Sequence, residues 1–331
     1  MIVSRAPLRF SLGGGGTDLP AFYQRFGGFV VSAAIDRYVY VTANKRFYDD
    51  IRLAYSETEI VSNVSAIRHR IFREALKMTG IERGIELTSV ADLPANSGLG
   101  SSSTFTVALL NALYAYKREF VSSQRLAEEA CELEMVRLGD PIGKQDQYIS
   151  AYGNVTALTI DPSGAVSVEP VPVSPQALDE LERNLLIAYT GIERPARSVL
   201  GEQSARVERG DPDSLERMRH IQELGREVYR LLVRGTIDDY GELLHEHWAR
   251  KRGLASAVSD PRIDEYYEAA RAAGARGGKL MGAGGGGFFM FYTPPEARRR
   301  VWETLQRLGL KTLPFRFEMD GARIVANLHR S

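Results

Sequence analysis

The residues best placed to do chemistry stand where glycine and serine run into a helix. The stretch Leu93–Pro94–Ala95–Asn96–Ser97–Gly98–Leu99–Gly100–Ser101–Ser102–Ser103–Thr104 comes immediately before a long helix predicted over Ser101 to Lys117. A glycine-rich turn feeding a helix N-terminus leaves backbone N–H groups free at the positive end of the helix dipole, which makes a seat for phosphate. The serines add hydroxyls able to meet phosphate or a metal ion. Neither common nucleotide signature is present. Gly143–Lys144 is followed by Gln145 and Gly278–Lys279 by Leu280, so there is no Gly-Lys-Ser/Thr, and position 103 is Ser where a dinucleotide fingerprint needs a third glycine.

Two further glycine loops accompany it. Ala6–Pro7–Leu8–Arg9–Phe10–Ser11–Leu12 leads into Gly13–Gly14–Gly15–Gly16–Thr17–Asp18, where absent Cβ atoms let a ligand approach the backbone. Thr17 and Asp18 stand at a predicted helix start and can cap it or point at a hydroxylated ligand. Gly277–Gly278–Lys279–Leu280–Met281–Gly282–Ala283–Gly284–Gly285–Gly286–Gly287 precedes the apolar strand Phe288 to Tyr292, and suggests backbone lying close to another backbone or a ligand. Elsewhere the chemistry thins out. Cys131 is the single cysteine, which excludes an internal disulfide and a thiolate zinc cluster, and it reads as a small buried side chain. His245 and His247, two apart on a helix, point to opposite sides and read as surface and packing rather than as a metal pair.

The elements that must hold these loops are mixed. Met1 to about Ser56 is strand-rich, with Arg37 to Ala43 alternating as a half-buried strand and a short helix from Asp18 to Phe26 ended by Gly27–Gly28. Helices are predicted over Ala66 to Met78, Ser101 to Lys117 and Gln124 to Leu138, with a strand at Ile85 to Val90. Strands Asn154 to Ile160 and Val166 to Val171 turn at Asp161–Pro162–Ser163–Gly164. Pro172 to Gln176 is the expected domain boundary. A strand at Leu185 to Tyr189, helices near 195–208, 213–234, 237–256 and 261–273, the strand Phe288 to Tyr292, and a last helix with two strands follow. Two α+β domains, 1–172 and 173–331, are expected.

Composition sets the outer bounds. The 331 residues carry 42 Lys plus Arg against 42 Asp plus Glu, a balance that argues against a dedicated nucleic-acid or membrane-surface binder. No secretory leader and no apolar run of spanning length is evident, so a cytoplasmic protein is expected. Of the 31 glycines, thirteen lie in the three loops, so the excess over the usual ~7% is local.

Taken together and in this order, APLR–GGGGTD, LPANSGLGSSS and KLMGAGGGGF resemble the three motifs of the GHMP small-molecule kinases, across essentially the whole chain. The GGGGTDLP form and Gly143–Lys144–Gln145–Asp146–Gln147 at mid-chain look most like the bacterial sugar-kinase branch that acts on D-glycero-D-manno-heptose 7-phosphate in capsule or surface-polysaccharide pathways. The resemblance implies an N-terminal domain like ribosomal protein S5 domain 2, a ferredoxin-like C-terminal domain and an active site between them.

Residue by residue, it implies that Asn96, Ser97, Gly98, Leu99, Gly100, Ser101, Ser102 and Ser103 wrap the phosphates of ATP. Ser102 would lie near Mg²⁺ with a helix carboxylate, Glu134 matching best and Glu132 remaining open. Asp146 would take or orient the proton of the attacking hydroxyl, and Arg9 would stabilise charge on the transferring phosphoryl group. Gly15, Gly16, Thr17 and Asp18 would contact the sugar, and glycines 284 to 287 would brace the phosphate loop from the other domain. A phosphorylated sugar needs a second anion site, for which Lys144, Arg194 and Arg197 are candidates. Asp140 reads as a turn residue before Pro141. The expected function is ATP- and Mg²⁺-dependent phosphorylation of the C1 hydroxyl of the heptose 7-phosphate, with a homodimer compatible and no nucleic-acid or membrane partner. The alternatives are a fucose-type GHMP kinase and an inactive sugar or nucleotide sensor.

Overall fold

A computed structural model describes residues 1–95, 97–193 and 196–328. The chain opens with strand β1 (Ile2–Gly13), helix α1 (Pro20–Phe26) and the long strand β2 (Gly28–Lys45), which pairs antiparallel with β1 along nearly its whole length. Strands β3 (Ile51–Ala54) and β4 (Thr58–Val61), helix α2 (Arg70–Thr79) and strand β5 (Ile85–Ala91) follow. Helices α3 (Ser101–Tyr116), α4 (Ser123–Cys131) and α5 (Gln145–Tyr152) come next, then strands β6 (Val155–Ile160) and β7 (Val166–Pro170). The first sheet runs β4-β3-β5-β2-β1, and β6 takes the Gly28–Ala33 end of β2 while β5 takes the Val39–Lys45 end. Helix α3 lies against β1 and β2 and is buried almost all round, which is why its sequence shows little amphipathic contrast.

Helix α6 (Pro175–Asn184) and strand β8 (Leu185–Tyr189) open the second half. Helices α7 (Ala196–Glu208), α8 (Pro212–Arg234), α9 (Tyr240–Lys251) and α10 (Pro261–Ala272) intervene before β9 (Gly277–Leu280) and β10 (Phe288–Tyr292). Helix α11 (Pro295–Arg307) and strands β11 (Lys311–Leu313) and β12 (Arg323–Asn327) complete the chain. The second sheet is ordered β11-β8-β10-β9, antiparallel throughout, which is the 4-1-3-2 arrangement of a ferredoxin-like sheet. The α+β class is thus the one expected.

One feature amends the simple division at residue 172. Strand β12 leaves the second half and pairs antiparallel with β1, adding an edge to the first sheet. Just before it, Glu318 N–H donates to the Ala34 carbonyl and Asn154 N–H to the Glu318 carbonyl, both at 2.9 Å. Buried residues of both sheets, from Ile2 and Leu8 to Leu185 and Met290, belong to one continuous apolar core, with Phe10 packed edge-on to Phe315. Cys131 is buried in it. Among the described residues no helix is long and apolar enough to cross a membrane.

Candidate active site

The side expected to take phosphate is built at the start of α3. Gly100 holds a left-handed conformation at the cap, φ +81°, and turns the chain so that Ser101, Ser102 and Ser103 form the first helical turn at the edge of a cleft of about 240 Å³. Ser102 Oγ donates to Glu134 Oε1 at 3.2 Å, while Gln147 Nε2 donates to Glu134 Oε2 at 2.7 Å and to Ser103 Oγ at 3.1 Å. Glu134 comes from Glu132–Arg137, where the backbone widens into a π-helical stretch, a deviation that often marks functional positions. Burial is the main reason that its carboxyl is raised to about 7, with the Gln147 and Ser103 hydrogen bonds opposing. Glu132 is engaged instead by Arg137 at the exposed side, so the geometry places Glu134, not Glu132, against Ser102. Ser97, Gly98 and Gly100 also line the cleft. Leu99 does not: its side chain is buried in the core, and its carbonyl accepts from the Arg9 backbone N–H. Asn96 lies outside the described residues.

The other side is held by β1 and α5. Arg9 is buried and grips Asp146 with a two-pronged pair, Nε to Oδ1 at 2.7 Å and Nη2 to Oδ2 at 2.9 Å, while its Nη1 donates to the Gly98 carbonyl at 2.7 Å. A fork-to-fork pair of this kind fixes the carboxylate's orientation as well as its charge. One guanidinium thus ties the mid-chain aspartate to the phosphate loop. Asp18 is buried beside them, its Oδ1 accepting from Gly16 N–H and its Oδ2 from Gln145 N–H, both at 3.0 Å. Burial is the main cause of its raised pKa. Gly143 is obligatory here, since a Cβ on it would stand 1.9 Å from Asp18 Oδ2. Gly15 and Gly16 complete this wall.

Two expected substrate contacts point elsewhere. Thr17 is fully buried, and its hydroxyl is spent on closing the loop, donating toward the Gly14 and Phe29 carbonyls at 2.8 and 2.9 Å and accepting from Phe29 N–H. Nor does Asp18 or Thr17 cap α1, whose N-cap is Leu19. Lys144 turns away from Asp146 because α5 begins between them. Its ammonium donates to the Gly164 carbonyl and sits 5.3 Å from the Tyr23 ring centroid. Arg197 does line the cleft, paired with Asp140, which also meets Arg70 at 3.4 Å. Asp140 is thus more than a turn residue. Arg194 lies outside the described residues.

Two cleft residues carry no sequence signal, and a third, His247, lies buried in the cleft and not on the surface expected of it. Lys251 and His247, four apart on one face of α9, and Lys279 on β9 are all buried and line the cleft. His245, on the opposite side of α9, pairs its Nδ1 with the Tyr267 hydroxyl. The i, i+4 spacing of His247 and Lys251 was visible, but nothing in the sequence said which face of α9 would meet β9. In chain order, glycine loop three (Gly277–Gly287) docks backbone to backbone on loop two (Leu93–Thr104): a Cβ on Gly98 would lie 2.8 Å from the Met281 carbonyl oxygen, and one on Gly282 would lie 2.6 Å from Gly98 Cα.

This constellation fits a magnesium-bound polyphosphate. Among the described residues no set of three His, Cys, Asp or Glu gathers to hold a metal alone. A single carboxylate with one hydroxyl suits Mg²⁺, which takes most of its remaining ligands from phosphate and water.

The chain resembles known proteins along most of its length. Residues 62–154 match the model described as GHMP kinases N terminal domain and residues 228–310 the one described as GHMP kinases C terminal, which together span more than half of the chain. A D-glycero-alpha-D-manno-heptose 7-phosphate kinase of Campylobacter jejuni subsp. jejuni is 28% identical over 85% of this chain and 86% of its own length. An L-fucokinase/L-fucose-1-P guanylyltransferase of Bacteroides fragilis is 27% identical over 85% of this chain but only 34% of that protein. The crystal structure of a D-glycero-D-manno-heptose 1-phosphate kinase from Bacteroides thetaiotaomicron superposes with a TM-score of 0.82 at 25% identity, covering 99% of this chain and 100% of that one.

Proposed function

The chain belongs to the GHMP kinase family and is an ATP-dependent sugar kinase, and from that premise we propose that it phosphorylates the C1 hydroxyl of D-glycero-D-manno-heptose 7-phosphate. The observation that carries phosphoryl transfer is the two-pronged Arg9–Asp146 pair joined through Gly98 to the phosphate loop. The sugar is supported by the relative of that name, which matches over most of both chains.

In this reading the first turn of α3 receives the phosphates of ATP on its backbone N–H groups, and Ser102 with Glu134 would hold Mg²⁺, whose charge would offset that of the phosphates. Asp18, with both oxygens already anchored by backbone donors, directs its remaining lone pairs at sugar hydroxyls. Asp146 takes the proton of the C1 hydroxyl as its oxygen bonds to the γ-phosphorus. The bond from that phosphorus to the bridging oxygen breaks, and ADP leaves. Arg9 keeps Asp146 oriented and places a fixed positive charge beside the transferring group, where no reorganisation is needed during reaction.

A fucose-type acceptor is the second reading, favoured by fucokinase relatives that cover as much of this chain. The deciding assay is ATP consumption against heptose 7-phosphate, mannose, fucose, galactose and mevalonate. Turnover on the heptose phosphate, lost in Asp146→Ala, is expected. Turnover on fucose alone would replace the substrate. Nucleotide binding without turnover on any of them would favour the inactive sensor.

A further inference from the structure

Phosphoryl transfer at Asp146 leaves Lys251, Lys279 and His247 without a task in the same cleft. Their environment is unusual. Lys251 Nζ donates to the Leu280 and Gly282 carbonyls, at 2.9 and 2.5 Å, which leaves one N–H free. Lys279 Nζ makes one long contact, 3.4 Å to the Leu12 carbonyl, leaving two. Both nitrogens of the buried His247 ring have no hydrogen-bond partner among the described residues. Also among the described residues, no carboxylate is paired with either lysine, and Asp146 is held by Arg9. Buried cations are rare unless paired, and unpaired donors in a protein interior are costly.

We propose that Lys251, His247 and Lys279 form a second anion seat, which holds a phosphate monoester carried by the sugar and not transferred in the reaction. The proposal rests on the sugar-phosphate reading above and deepens it. A dianionic monoester supplies what the cluster lacks, since its terminal oxygens can accept the free N–H groups and its charge matches the two lysines. The cleft that these three side chains line also holds Arg9 from β1, Asp146 from α5, Arg197 from α7 and the carboxylates of Asp18, Glu134 and Asp140, and His220 of α8 is close enough to act on His247. Burial, with the neighbouring cations adding to it, lowers Lys251 to about 7 and Lys279 well below its usual range. An arriving anion reverses that balance, so binding near neutral pH takes up protons. Arg197, half-exposed and committed to Asp140, is a poorer candidate, and Lys144 is not in the cleft at all.

The test compares D-glycero-D-manno-heptose with its 7-phosphate as acceptors for the wild type, Lys279→Met, Lys251→Met and the conservative Lys279→Arg. The measure is the ratio of kcat/KM for the phosphorylated over the unphosphorylated sugar. Each methionine variant is expected to lower that ratio by about 30-fold or more, the loss typical of removing one side of a buried charge pair, with partial recovery in Lys279→Arg. Equal losses on both sugars would assign the lysines to the transferring phosphoryl group and overturn the seat. A lower melting temperature with an unchanged ratio would make them mere ties to the Leu280, Gly282 and Leu12 carbonyls, with the same result. Should the wild type accept neither heptose, the functional reading fails, and the seat is then judged by inorganic phosphate. With a non-hydrolysable ATP analogue bound, phosphate should bind the wild type with proton uptake, seen as a buffer-dependent heat, and should not bind Lys279→Met. No phosphate binding by the wild type sinks the seat on its own, and this measurement also decides the matter if the variants fail to fold.

Discussion

At the scale of single residues, one guanidinium sets the site. Arg9 joins Asp146 to the Gly98 carbonyl, so the proposed proton acceptor and the proposed phosphate loop share one rigid link. Removing the carboxylate in Asp146→Ala should lower kcat by about 10²–10⁴-fold, the usual worth of a positioned base, while ATP-analogue affinity stays within about threefold. Fluorescence titration beside steady-state kinetics checks both. Near-normal turnover would remove Asp146 from the chemistry. Lys251 carries a pH signature of its own. Its folded pKa of about 7 lies below the ~10.4 of an unfolded lysine, so between those values the unfolded chain binds more protons. Stability from this group is therefore smallest below about 7 and rises with pH through that window. The melting temperature of the wild type relative to Lys251→Met should climb between pH 6 and 9, and a flat difference would contradict the buried, unpaired ammonium. Lys144→Ala is a useful contrast. The cation–π contact with Tyr23 is worth about 0.5–1 kcal/mol, and sugar KM should move less than about twofold.

At the scale of elements, loops two and three work as one part. Gly98 and Gly282 meet backbone to backbone, and Gly282 also has a φ of +66°, so a methyl group there is penalised twice. Gly282→Ala should cost about 1–3 kcal/mol by chemical denaturation and raise KM for ATP, because the displaced surface is the phosphate loop itself. An unchanged KM with lowered stability would mean that the loops are only packed, not coupled. This pairing also shows what could be read in advance. The three glycine loops, the helix after Gly100 and the apolar strand Phe288 to Tyr292 were legible, because local glycine excess and periodicity are properties of short segments. Helices α5 and α6 and strand β9 were not. Strand β9 is Gly277–Leu280, a run with little β propensity that becomes a strand only by pairing with β10. The direction of Lys144 followed from where α5 starts, and the inward turn of Thr17 from loop closure against Phe29. Lys251 and Lys279 needed α9 laid beside β9, a tertiary fact without a local trace.

At the scale of the whole molecule, formal neutrality conceals a group of buried cations in the cleft. Charge balance across 42 basic and 42 acidic residues coexists with Arg9, Lys251 and Lys279 buried in one cleft that Asp18, Glu134, Asp140 and Asp146 also line, so overall charge says little about the ligand. The same scale decides how the two halves cohere. Strand β12 returns to β1, and Phe10, Phe315 and Phe317 stack in turn across the junction, with Ile35 bridged to Phe317. The last segment thus belongs by sequence to the second half and by packing to the first. Both tryptophans, Trp248 and Trp302, lie in the second half, so their fluorescence reports that half alone, whereas far-UV circular dichroism reports the entire chain. A shared core and a returning strand predict one cooperative transition, with the two signals coinciding in urea. Ending the chain at residue 313 removes β12 and the phenylalanine stack, exposing the β1 edge and part of the core. That truncation should separate the two transitions, or leave the first half unfolded while tryptophan fluorescence still shows a folded second half. Coincident transitions in the truncated chain would show that the contacts of α8 and α9 with the first sheet, and not the returning strand, hold the cleft together.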